Sequence, residues 1–180
     1  MSAKKFFISA LVGTTLAATT VQAKTLVAYF TLTGNTQHAA EIIAQKAGAD
    51  LYQIELITPY PSDYKEQIAL AKKELSEGTL PLIKDLPANL DEYDIIFVGS
   101  PVWWGTIATP VRTFLASGAL KGKTVIPFVT HGSGGPDKSF TDTKELCKDC
   151  KVRTDGWSGY NNLTPGLESW TQKMLEEVQK

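Results

Sequence analysis

From Lys24 onward the chain alternates short runs of apolar residues with longer stretches whose apolar positions recur every three or four residues. Thr25–Phe30 predicts a strand, and Asn35–Ala47 predicts a helix closed by Gly48. Leu51–Leu56 alternates in polarity, as a strand near a sheet edge does. Asp63–Glu77 predicts a helix opened by an Asp63/Glu66 capping box and ended by Gly78. Leu80–Asn89 is punctuated by proline and reads as irregular.

Asp94–Ser100 and Thr124–Thr130 are almost wholly apolar, the pattern of strands buried on both faces. Between them, Thr109 and Pro110 form an N-cap and first-turn pair for a helix running to about Ala116. Ser139–Lys148 reads as a helix, Lys151–Gly156 as a short strand, and Thr164-Pro165 opens a last helix to Gln179. Five strands alternating with five helices imply an α/β domain: a doubly wound, five-stranded parallel sheet with helices on both faces. Ligands of such sheets bind beyond the carboxyl ends of the strands, so the loops after strands one, three and four are where chemistry is expected.

Composition adds two boundaries. The 180 residues suit one domain, and 43% hydrophobic content with 21% charged residues suits a soluble core rather than disorder. A formal charge of −1 with no basic block excludes nucleic acid as the expected partner. Ahead of the domain, Lys4 and Lys5 precede the apolar run Phe6–Thr20, and Val21-Gln22-Ala23 places small residues where signal peptidase reads them. Residues 1–23 are therefore expected to be a bacterial secretory signal, leaving residues 24–180 as the mature domain. That domain would be periplasmic or secreted, without stable membrane insertion. Cleavage removes two lysines and no acid, giving a mature charge of −3.

The first loop is Thr31-Leu32-Thr33-Gly34-Asn35-Thr36, leading directly into a helix. Its three hydroxyls, the Asn35 amide and free N–H groups at a helix N-terminus make an anion cradle without a cation. It lacks the spaced glycines of a dinucleotide loop and the Gly-Lys of a nucleoside-triphosphate loop. A well-capped helix start is the alternative reading. The third-strand loop, Ser100-Pro101-Val102-Trp103-Trp104-Gly105, carries paired tryptophans that need a partner if exposed. A flat aromatic ligand stacked on one of them, with the other serving as core, meets that need.

These two motifs resemble the phosphate loop and the ring loop of the flavodoxin family, in its branch of small FMN proteins with a Pro-Val-Trp-Trp-Gly run. The resemblance implies the strand order 2-1-3-4-5 and one FMN. Thr31, Leu32, Thr33, Gly34, Asn35 and Thr36 would hold its phosphate. Ser100, Pro101, Val102, Trp103, Trp104 and Gly105 would meet its ring. The fourth-strand loop, Thr130, His131, Gly132, Ser133, Gly134 and Gly135, would be the second loop at the ring, its glycines allowing close approach. Many flavodoxins place a second aromatic there; here His131 is the only ring, which leaves one flavin face open. His131 is placed where a proton donor to reduced flavin would serve, with a backbone-bonded loop histidine as the even alternative.

The remaining candidates are weaker. His38 reads as a solvated helix residue, and no clustering of His, Cys and acids suggests a metal. Tyr60 and Tyr64 read as surface loop residues, with a cleft wall as the alternative. Cys147 and Cys150 close a helix rather than open one, so the dipole does not activate a thiol; in an oxidising compartment they are expected to form a structural disulfide. Two functions follow. One is an exported FMN protein passing electrons to a redox partner protein. The other is an FMN-dependent reductase of a small-molecule acceptor (quinone, nitro or azo compound) that uses NAD(P)H or another donor. The weak charge disfavours a docking-driven carrier, and export disfavours NAD(P)H.

Overall fold

The computed structural model describes residues 23–178. The expected signal over residues 1–23 thus lies, Ala23 apart, outside the described residues. In chain order the elements are β1 (Thr25–Tyr29), α1 (Asn35–Ala47), β2 (Asp50–Gln53) and α2 (Tyr64–Glu77). After a 3-10 turn at Leu90–Glu92 come β3 (Ile95–Trp103), β4 (Thr106–Ile107), α3 (Thr109–Ala116) and β5 (Thr124–His131). The chain closes with α4 (Ser139–Leu146), β6 (Lys151–Val152), β7 (Trp157–Tyr160) and α5 (Leu167–Val178).

The sheet runs β2-β1-β3-β5-β6, with β7 also on β5 and β4 folded antiparallel against the end of β3. Counting β6 and β7 as one interrupted strand, this is the doubly wound order 2-1-3-4-5. Alternate residues of each strand feed the two faces. Leu26, Ala28, Ile96, Val98, Val125 and Val129 share a core with Val111, Phe114 and Leu115 of α3. Val27, Tyr29, Phe97, Ile126 and Phe128 pack with Ile43 of α1 and Met174 and Leu175 of α5.

The strand expected over Leu51–Leu56 runs over Asp50–Gln53, with Leu56 in an isolated bridge to Ile83, and four further local readings need correcting. The last strand is not continuous over Lys151–Gly156; it breaks between Val152 and Trp157. Val125 O accepts from Arg153 N at 2.9 Å, so the backbone groups of residues 125 and 127 of β5 turn toward this edge. Pro127 has no N–H to offer there, and the ladder resumes only at Phe128↔Trp157. Second, β3 runs three residues past Ser100 because Val102 and Trp103 pair with Ile107 and Thr106. Third, the N-cap of α3 is Ala108, not Thr109, whose hydroxyl points into the protein. Fourth, α5 starts at Leu167 because Gly166 adopts φ 70, a left-handed conformation that no α-helix contains. Asp63 does cap α2, accepting from Lys65 N and Glu66 N at 3.0 Å.

Cys147 and Cys150 are joined by a disulfide with Cα atoms 5.3 Å apart. The bridge lies at the amino edge of the sheet, where Gly122 N donates to Asp149 O and β6 joins the start of β5. The carboxyl edge, where the three loops emerge, is the far end of the eight-residue strand β5.

Two predictions test this framework. A Cβ on Gly99 would stand 2.3 Å from the Phe128 ring, which is fully buried. Gly99→Ala should therefore destabilise the fold by about 1–3 kcal/mol through overpacking, read as a lowered thermal midpoint. A Cys147→Ser/Cys150→Ser double variant opens a very short loop and should lose no more than about 2 kcal/mol, read from denaturant midpoints.

Candidate functional site

The loops after β1, β3 and β5 meet around one cleft of about 490 Å³ at the carboxyl edge. From the first loop it is lined by Thr31, Leu32, Thr33, Asn35 and Thr36; from the second by Pro101, Val102, Trp103 and Trp104; from the third by Thr130, His131 and Gly132. Five other candidate positions do not reach the wall. Gly34 is the N-cap of α1, and Ser100 is buried with its Oγ accepting from Ala108 N at 2.9 Å. Gly105 packs against Asp137, and Ser133 and Gly134 lie outside the lining.

Helix α1 opens differently from α2. Gly34 takes φ 85 and supplies no side-chain cap, and the first intrahelical bond is His38 N to Gly34 O at 2.9 Å. The N–H groups of Asn35, Thr36 and Gln37 thus have no intrahelical acceptor. The first turn contains no acid to compete for them. Thr31 Oγ1 accepts from Gly34 N at 3.0 Å and shapes the loop. Thr36 is buried and its hydroxyl lies 2.8 Å from that of Thr130, which ties the first loop to the third. Thr33 is exposed and lines the cleft. Uncapped N–H groups at the positive end of a helix, flanked by hydroxyls, bind a phosphate monoester without a cation.

The second loop is a two-residue hairpin. Trp103 pairs with Thr106, and the central residues Trp104 and Gly105 have φ 47 and 78. Positive φ at both central positions belongs to the primed turns that match strand twist. Such turns favour Asn-Gly, so a tryptophan at the first position is strained and displayed for contact rather than for the turn. Trp104 is 50% exposed. Trp103 instead turns inward, edge-on to Phe30 (5.7 Å) and Tyr60 (5.5 Å). The hairpin is pinned from outside by Lys138 N to Gly105 O at 2.9 Å and by Thr106, whose hydroxyl bonds Asp142, itself paired with Arg112 at 3.3 Å.

The third loop places His131 beside the cleft, edge-on to Tyr160 at 6.0 Å. His131 lines the cleft, while its Nδ1 is turned into the protein, out of reach of solvent and without a partner. Sequence reading gave Tyr64 a cleft wall only as its alternative and missed the rest of that wall: Gln67, Ile68 and Ala71, which follow Tyr64 in α2, and Asn161 after β7. Their helical spacing i, i+3, i+4, i+7 was visible in the chain, but which face met the loops was not. Tyr64 is thus a wall residue, and Tyr60 is packed beneath the hairpin rather than on the surface. Burial, reinforced by a hydrogen bond to Glu74, pushes the Tyr60 hydroxyl well above the usual tyrosine range, so it stays a donor. None of the residues lining the cleft is Lys, Arg, Asp or Glu. An uncapped helix end and a displayed indole around walls without Lys, Arg, Asp or Glu fit a ligand with a phosphate at one end and a flat heteroaromatic ring at the other.

Fold and cleft together define a doubly wound α/β protein with its ligand site at the sheet's carboxyl edge. A family model described as Flavodoxin matches residues 24–174, and the chain belongs to the flavodoxin family. A solved structure from Bacteroides eggerthii, described provisionally as a flavoprotein, is 33% identical with a TM-score of 0.74, covering 88% of this chain and 99% of that one. A flavoprotein from Lactobacillus acidophilus, solved in complex with FMN, shares the fold at 24% identity, TM-score 0.67, over 83% of this chain and 99% of that one. A relative from Chromohalobacter salexigens named NAD(P)H dehydrogenase (quinone) is 32% identical over 133 residues, 66% of this chain. The match spans only 63% of that relative's length.

The two tryptophans should separate in experiment. Trp103→Ala removes a half-buried ring and should lose about 2–3 kcal/mol, somewhat below a full core tryptophan. Trp104→Asn replaces a strained residue by one that favours the left-handed region and should gain up to about 1 kcal/mol. Thermal unfolding of the two variants checks both signs.

Proposed function

We propose that the chain is an exported FMN-binding redox protein that passes electrons through FMN. The observation that carries this reading is the pairing, in one uncharged cleft, of an uncapped helix N-terminus with a displayed tryptophan. Thr31, Thr33, Asn35 and the N–H groups of Asn35, Thr36 and Gln37 would hold the phosphate. Trp104 would cover one face of the ring, Trp103 would support that contact from beneath, and His131 would stand in the wall beside it. FMN supplies reversible two-electron and one-electron redox chemistry when bound. The protein's part is to hold the ring, exclude water with apolar walls from Pro101, Val102 and Ile68, and leave the side near Gly132 open to a partner. The family match begins at residue 24, and the disulfide suits an oxidising compartment; both support export after cleavage behind Ala23.

A second reading has its own support. The third loop brings no aromatic to the ring, and α2 lines a wall with Tyr64 and Gln67, which leaves room for a small acceptor. An FMN-dependent reductase of quinone, nitro or azo compounds would use that room, in keeping with the name of the Chromohalobacter relative. No lining residue carries a cation for a nicotinamide dinucleotide's pyrophosphate, which favours a different electron donor.

Titrating the apoprotein with FMN, FAD and riboflavin should give one FMN bound in preference to the others; equal affinity for riboflavin and FMN would refute the phosphate assignment. Thr33→Ala or Asn35→Ala should weaken FMN by about 1–3 kcal/mol and leave riboflavin nearly unchanged. Steady-state turnover with NADH or NADPH and a quinone would move the balance to the reductase. Fractionation with N-terminal sequencing of the mature protein tests export and the Ala23–Lys24 cut.

A further inference from the structure

Behind the tryptophan hairpin lies a buried carboxylate that the cofactor reading leaves unused. Glu74, on α2, is only 8% exposed, and it sits three residues after Ala71 of the cleft wall. Its Oε2 accepts hydrogen bonds from Tyr60 Oη and Thr109 Oγ1, each at 2.5 Å. Those two hydroxyl oxygens lie 2.8 Å from one another. Among the described residues no lysine or arginine forms a salt bridge with it. A carboxylate withdrawn from water without a counter-ion is unfavourable unless its oxygens are well bonded. Glutamate is ordinarily at home on the exposed face of a helix. A leucine at this place would fill space, but would leave the Tyr60 and Thr109 hydroxyls without their acceptor.

The two donors come from the two supports of the hairpin. Tyr60 belongs to the connection between β2 and α2, and its ring props Trp103 edge-on at 5.5 Å and Phe30 at 6.4 Å. Thr109 is the first residue of α3, two positions after Ile107, where the returning strand of the hairpin ends. One oxygen of Glu74 thus bonds the tyrosine whose ring meets Trp103 and the residue at the exit of β4, and joins both to α2, a helix that lines the cleft. It touches none of the groups at the phosphate cradle.

We propose that Glu74 is the positioning residue of the aromatic wall: by gathering Tyr60 and Thr109 on one oxygen it sets Trp103, and through it Trp104, in the ring-binding arrangement. The cleft's affinity for the ring depends on it, whereas its affinity for the phosphate does not. The proposal rests on the reading of the cleft as an FMN site.

The test uses the full mature domain with Glu74→Ala, Glu74→Gln and Thr33→Ala. The probes are FMN and lumiflavin, which has the ring and no phosphate. Glutamine keeps an oxygen that accepts both hydroxyls; alanine does not. Glu74→Ala should weaken lumiflavin and FMN by the same factor, about tenfold or more, the scale of lost hydrogen bonds to a charged group. Glu74→Gln should stay within about threefold of wild type for both, since the acceptor is retained. Thr33→Ala should weaken FMN alone. In the apoprotein, the near-UV circular dichroism of the tryptophans should change in Glu74→Ala and be restored in Glu74→Gln. If Glu74→Ala does not fold, Thr109→Val, which removes one donor at constant shape, should likewise weaken lumiflavin and FMN by one common factor. The proposal is overturned if the glutamine variant is as weak as alanine, or if the alanine or valine variant binds lumiflavin as wild type does. A wild-type protein that binds neither flavin would instead overturn the FMN reading. The apoprotein spectra would then still decide whether Glu74 positions the tryptophans.

Discussion

The parallel pairing of β1, β3 and β5 is the constraint on which the cleft depends. Register places Tyr29 beside Gly99 and Gly99 beside Phe128, so three chain segments reach the carboxyl edge at the same level. Gly99 makes this possible in the middle strand, because any side chain there would meet the Phe128 ring. Once the strands are level, the hydroxyls of Thr36 and Thr130 come within 2.8 Å and join the first loop to the third across the end of β3. The site is assembled by the sheet, and the loops only have to continue from where the strands leave them.

Two helices of this chain handle the same problem in opposite ways. At α2, Asp63 satisfies two N–H groups that the helix leaves open. At α1, glycine fills the corresponding place and the N–H groups face outward. With glycine there instead of a capping side chain, α1 gives up about a few tenths of a kcal/mol. The hairpin shows a second such concession, with a tryptophan where a turn favours asparagine or glycine. Local stability is withheld at the two places where a phosphate and a ring would restore it.

Elsewhere the structure spends its polar groups on rigidity. Glu74, Tyr60 and Thr109 fasten the hairpin from the inside, and Thr106, Asp142 and Arg112 fasten it from the outside. The disulfide belongs to this second category, at the amino edge, a whole strand away from the cleft. Its place separates it from any chemistry at the carboxyl edge. None of the residues lining the cleft is Lys, Arg, Asp or Glu.

The alternation of apolar runs and helical stretches determined the α/β class, the strand order through its family resemblance, and the three loops that matter. Those signals are local: a buried parallel strand, a helix start and an aromatic pair each show in a few neighbouring residues. Thr31–Thr36 and Trp103–Trp104 were legible for that reason. Only the tertiary structure decided what depends on distant partners. Pro127 interrupts the final strand because of the side its backbone faces, and Val102–Trp103 become a hairpin because Thr106–Ile107 return to pair with them. Thr109 looks like a helix cap in the chain but is the first residue of α3, and its hydroxyl donates to Glu74, a buried acceptor 35 residues away. The face of α2 bearing Tyr64, Gln67 and Ile68 became a cleft wall for the same reason: periodicity specifies that a helix has two faces, and only packing selects what each one meets.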